Sequence, residues 1–143
     1  MKKHEHLKEI KQCVSFVYLI DDEGNYIPNG TGFFIGISHN ELDGYFIYFV
    51  TAKHVIQNAE GLFYETIALR LNKKDGTSGY IDLEIDNLII HTHDDPDIDI
   101  AVFNFNLDGG YDFIILPDHE IIDQNFIIEN EIVITKESAI FEY

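Results

Sequence analysis

Cysteine is almost missing from this chain: Cys13 stands alone among 143 residues. One thiol cannot close an internal disulfide, so the fold must hold by packing, and nothing here calls for an oxidising compartment. Long apolar runs are also lacking. The stretch Cys13–Ile20 is too short to span a bilayer and runs straight into Asp21-Asp22. The first twelve residues are too polar for a secretory leader, and together these features predict a cytoplasmic protein. Basic residues are scarce, 9 Lys and Arg against 26 Asp and Glu, for a net charge of −17. Such a surface repels phosphate backbones and anionic lipid, so neither nucleic acid nor membrane is expected as a partner. It suits solubility or a basic protein partner. Internal repeats and low-complexity tracts are absent.

What is present is an ordinary globular composition, 45% apolar and 24% charged, enough to bury a core in one domain or one large lobe. Residues 2–12 are charged and read as a short helix or an arm. The rest reads as β. Val14–Ile20 is a β-branched and aromatic run closed by the turn signal Asp21-Asp22-Glu23-Gly24. Gly32–Ser38 and Tyr45–Thr51 follow, joined by a polar link, His39–Gly44, that favours a hairpin. A short helix is predicted over Ala52–Asn58, then a loop around Gly61. Ile67–Leu71 and Tyr80–Ile85 flank a polar turn, and Leu88–His91 and Ile100–Phe105 complete the series. About seven short strands at close spacing with one small helix predict an all-β barrel or sandwich, not alternating βαβ units.

Three segments carry the chemistry: Gly30-Thr31-Gly32-Phe33-Phe34-Ile35, Phe49-Val50-Thr51-Ala52-Lys53-His54-Val55-Ile56, and Asp97-Ile98-Asp99-Ile100-Ala101-Val102-Phe103. In this order and spacing they resemble the trypsin-like, chymotrypsin-fold serine peptidases, especially their cysteine-poor bacterial members. The resemblance covers roughly residues 14–134. It implies an all-β, six-stranded antiparallel barrel, the first lobe of that fold, with one short helix after the His54 strand. It implies His54 as general base and Asp99 as the carboxylate that orients it. A serine hydroxyl is a poor nucleophile at neutral pH, and a nearby imidazole must take its proton and return it to the leaving amine. A carboxylate on the other ring nitrogen fixes the tautomer and stabilises the imidazolium.

The nucleophile is the missing part. Family members carry it after the Asp, in a Gly-x-Ser-Gly loop of a second barrel. Here only Ser138 follows Asp99, and no glycine follows Gly110. An oxyanion hole of that kind needs backbone N–H groups on a tight, usually glycine-bearing loop. Gly76-Thr77-Ser78-Gly79 fits the pattern but lies between His54 and Asp99, and a hairpin turn explains it better. Asn130–Ile134 resembles the first strand of the second barrel. The expected division is a polar arm over 1–12, a trypsin-like barrel over 13–129, and the start of a truncated second lobe or a tail over 130–143. The expected function is the N-terminal half of a serine protease, inactive alone, with a peptide or protein substrate once a second lobe completes it. The alternative is a non-catalytic acidic module that binds a protein partner. No cofactor is expected. The segment His91-Thr92-His93-Asp94-Asp95-Pro96-Asp97 is dense in groups able to hold Ca²⁺ or Zn²⁺, but it lacks EF-hand spacing and reads as a solvated acidic loop. Cys13 reads as a small buried apolar residue.

Overall fold

Alternation of buried and exposed side chains is the physical signature of a strand with one face on a core, and it recurs along the chain. A computed structural model describes residues 12–39, 42–104, 106–107 and 109–120. Residues 1–11 of the expected arm, the run Asn130–Ile134 and Ser138 lie outside these residues. The strands are β1 (Val14–Ile20), β2 (Tyr26–His39), β3 (Leu42–Thr51), β4 (Thr66–Asn72), β5 (Ser78–Glu84), β6 (Ile90–Thr92), β7 (Ala101–Asn104) and β8 (Leu116–Pro117). One four-residue helix, α1 (Lys53–Ile56), follows β3. Among the described residues the chain is all-β and mostly antiparallel.

The strand order is β5-β4-β1-β2-β3-β7-β6, with β8 added beside β2. Strand β2 organises the sheet. Its first half, Tyr26–Phe33, pairs with β1, and its second half, Gly32–His39, pairs with β3. The edge that β1 leaves free beyond Phe33 is taken by β8, in parallel, at Ile35 and Gly36. The two ends of the order, β5 and β6, are consecutive in the chain. Only residues 85–89 separate them, and Ile85–Asn87 form a 3-10 turn. That turn is pinned to the start of β4, because the Ile85 amide donates to the Glu65 carbonyl at 3.0 Å.

The core sits on one face of these strands. Val17, Phe34, Phe49, Ile67, Leu69 and Phe103 are fully buried. Phe49 is its centre, with ring centroids 5.1 Å from Phe34 and 5.5 Å from Phe103. Offset aromatic contacts of this kind add to plain area burial. Ser15 is a buried polar residue whose hydroxyl donates to the Arg70 carbonyl at 2.8 Å, so no hydrogen bond is forfeited.

The strands run longer than their apolar stretches. β2 begins at Tyr26, not Gly32, and β2 and β3 extend to His39 and Leu42, so the polar link between them shrinks to residues 40 and 41. The helix is shorter than Ala52–Asn58, because Gln57 is already extended and bridges Phe63. The sixth strand starts at Ile90, not Leu88, since Leu88 caps the 3-10 turn, its amide donating to the Ile85 carbonyl at 3.0 Å. The Gly76-Thr77-Ser78-Gly79 segment is the β4–β5 hairpin. Gly76 has φ +89°, a left-handed conformation that glycine adopts without a steric penalty, and Ser78 accepts a bond from Arg70 at 3.2 Å.

Candidate functional site

His54 is carried out of β3 on α1 and held from three sides. Thr51, the last residue of β3, donates its hydroxyl to the Thr31 carbonyl of β2 at 2.8 Å. Asn29 donates its side-chain amide to the Val55 carbonyl at 2.6 Å. Asn29 can do this because the β1–β2 register shifts there: Val17 faces Gly30 and Tyr18 faces Pro28, leaving Asn29 as the extra residue of a bulge. A bulge re-aims a side chain off the ladder, here toward α1.

The two glycines of Gly30-Thr31-Gly32 are demanded by close approach. A Cβ on Gly30 would lie 2.6 Å from a Val55 methyl, and one on Gly32 would collide with the Phe49 ring and the Val50 carbonyl. Real Cβ atoms do not sit so near their neighbours, so any larger residue would push α1 or the central phenylalanine away. The glycine motif and the His54 turn are therefore one packed unit.

Asp99 arrives from the neighbouring strand. β7 pairs antiparallel with β3, and Ala101 faces Thr51. Two residues before Ala101 and three after Thr51 then meet beyond the end of the ladder. One Asp99 carboxylate oxygen, Oδ1, accepts the His54 backbone N–H at 3.0 Å. The other, Oδ2, bonds the His54 ring at Nδ1. Lys53 adds a bond from its ammonium group to the Pro96 carbonyl at 3.4 Å, tying the loop before Asp99 to the same turn.

The electrostatics follow from these bonds. The hydrogen bond from the His54 ring, and then the one from the His54 amide, holds the Asp99 carboxyl below its ordinary value. An ionised carboxylate accepts but cannot donate, so the proton between the two groups belongs to Nδ1. That leaves Nε2 with a lone pair. The His54 side chain is 74% exposed and Asp99 49%, so Nε2 is open to an incoming group, and no described residue bonds to it. The arrangement is an imidazole oriented by a carboxylate.

Sequence reading placed both residues and paired them, and the structure brings them together. Among the described residues no serine hydroxyl is bonded to them. The described serines are engaged elsewhere: Ser15 with Arg70, Ser38 with Asp118 at 2.8 Å, and Ser78 with Arg70. In the acidic loop, His93 Nδ1 accepts the Asp95 amide at 2.9 Å, and among the described residues no group of three or more His, Cys, Asp or Glu is arranged to hold a metal ion. Cys13 is half-buried. Asn29 and the role of the bulge are not legible in the sequence, and Thr51 is read there only as part of the motif before His54. The Asn29 signal is weak: an Asn beside Pro28 and Gly30 reads as a turn. No described helix is long and apolar enough to cross a membrane.

Fold and site define an all-β domain with an exposed, carboxylate-oriented histidine at one end of its sheet. No protein-family model, no curated protein and no solved structure matches the chain.

Proposed function

We propose that this chain supplies the general-base half of a trypsin-like serine peptidase site, with His54 as base and Asp99 as the residue that orients it. The observation that carries the reading is the double grip of Asp99 on His54, one oxygen on the backbone amide and one on Nδ1. That grip selects the Nδ1–H tautomer and aims Nε2 outward. In such a site Nε2 takes the proton of an attacking hydroxyl, and the carboxylate stabilises the imidazolium until the proton passes to the leaving amine.

The topology supports the same reading. Counting β5 and β6 as one strand interrupted by the 3-10 turn, the order becomes six stations, β1-β2-β3-β7-(β6/β5)-β4, with β4 returning to β1. So counted, the order is the one a closed six-stranded antiparallel barrel would need, which favours the first-lobe architecture of the chymotrypsin fold. The nucleophile, oxyanion donors and specificity pocket would then belong to a second lobe, and the chain alone would not cleave peptides.

A second reading, a non-catalytic acidic binding module, is favoured by the net charge of −17 and by the want of a serine hydroxyl bonded to His54 among the described residues. The two are separated by labelling with a fluorophosphonate. The chain alone stays unlabelled. With a second lobe bearing the Gly-x-Ser-Gly loop supplied in trans, that lobe's serine is labelled, and His54→Ala abolishes the labelling. A folded complex that stays silent overturns the peptidase reading.

A further inference from the structure

One concavity among the described residues lies away from His54. It is a groove of about 1050 Å³ at the end of the sheet where β1 stops, β2 starts and β5 runs into the 3-10 turn. Its apolar floor is built by Leu19, Ile27, Tyr64, Leu83 and Leu88. Ile27 is 47% exposed there, an apolar side chain left uncovered. The rim carries Asp21, Glu65, Asp82 and Glu84, and no Lys, Arg or His lines the groove.

Three of the four carboxylates are held by uncharged groups. Asp21 accepts the amides of Glu23 and Asn25 at 2.9 and 2.7 Å, which holds it below the ordinary carboxylate range. Asp82 accepts the Tyr26 hydroxyl at 2.8 Å, and Tyr26 is itself stacked on Tyr80 at 3.9 Å. Glu84 accepts the side-chain amide of Asn87 at 3.1 Å. None of the four forms an ion pair with a described residue. The rim is thus a preorganised ring of negative charge with no internal counter-charge, around a floor that gains by losing water.

We propose that this groove docks an extended segment of a protein partner in which Lys or Arg alternates with apolar residues. Charge complementarity selects the cations. The floor takes the apolar side chains, which supply most of the affinity, because exposed ion pairs contribute little by themselves. The volume lies at the upper end of the range for ligand pockets, about 1,000 Å³, and the open form suits a chain passing through. Tyr64 ties the groove to the His54 turn, its amide donating to the Ile56 carbonyl at 3.0 Å. Docking itself asks nothing of His54 or Asp99.

The test is fluorescence anisotropy with the 143-residue chain and a labelled peptide of alternating Lys and Leu. A Lys and Gly peptide of the same charge spacing serves as the apolar control. Wild type binds the Lys–Leu peptide and binds the Lys–Gly peptide at least about tenfold more weakly, a difference of about 1.4 kcal/mol. Glu65→Gln with Glu84→Gln weakens Lys–Leu binding by about tenfold. Asp94→Asn with Asp97→Asn, an equal loss of charge on the exposed loop away from the groove, changes it less than about twofold. Absence of binding, equal affinity for the two peptides, or equal losses in the two double variants overturns the proposal. The last outcome would mean diffuse attraction to an acidic protein. His54→Ala leaves this binding unchanged even if it abolishes labelling, so the groove and the peptidase reading fail separately.

Discussion

At Asp99 the carboxylate does two jobs at once, and both depend on its charge. Its folded pKa lies below the ordinary carboxylate value, chiefly because of the hydrogen bond from the His54 ring. A depressed carboxyl contributes stability that is present above the unfolded pKa and lost as pH falls through the folded one. Asp99→Asn is therefore expected to unfold at lower urea than wild type at pH 7. The two midpoints converge as the pH drops through the ordinary carboxylate range and below it. A gap that stays constant from neutral to strongly acid solution would show that the charge of Asp99 does not stabilise the turn. The same residue pair was legible from sequence because its neighbours are distinctive: Thr51-Ala52 before the histidine, Ala101-Val102 after the aspartate. Asn29 was not legible, because its role depends on a register shift that only the paired strands reveal.

Among the elements, β2 and β3 are the frame on which the site hangs. The sequence limits of β1 and β4 fall within a residue of the observed ones, while β5, strictly alternating in exposure, begins at Ser78, two residues before the expected Tyr80, and ends at Glu84 because Ile85 enters the 3-10 turn. The full length of β2 could not be read. Pro28 and Gly30 interrupt its first half, and both are poor strand formers read in isolation. Proline is tolerated there because it sits beside the bulge, opposite Tyr18. β8 was missed because two residues pairing in parallel with a distant strand leave no local pattern. The glycine contacts give this scale its prediction. Gly32→Ala forces a methyl against the Phe49 ring and a backbone carbonyl, and the carbonyl cannot swing aside. Overpacking of this sort costs about 1–3 kcal/mol, read as a drop in the urea midpoint at unchanged slope. A neutral Gly32→Ala would mean that β2 and β3 have room to separate.

For the molecule as a whole, the dominating fact is charge. With −17 on 143 residues, the folded state concentrates repulsion that the unfolded chain relieves by expanding. Added salt is therefore expected to raise the melting temperature steadily between about 10 mM and about 0.5 M NaCl, as the screening length contracts from about 30 Å to a few ångströms. A melting temperature that falls with NaCl would place the stabilising weight on attractive ion pairs instead. The all-β class was legible at this scale from strand spacing. The groove was not, since its floor and rim come from β1, β2, β4, β5 and the turn after them, segments scattered between Leu19 and Leu88.

His54 and Asp99 are 45 positions apart in the chain, with the β4–β5 hairpin and the turn into β6 between them. Bringing such distant residues together incurs a loop-closure entropy that only the completed β3–β7 ladder returns. The pair is consequently a timekeeper for assembly. A proton signal from the His54–Asp99 bond will appear late in refolding, with the last cooperative step, and any fragment that stops before β7 will hold a histidine with nothing to steer it.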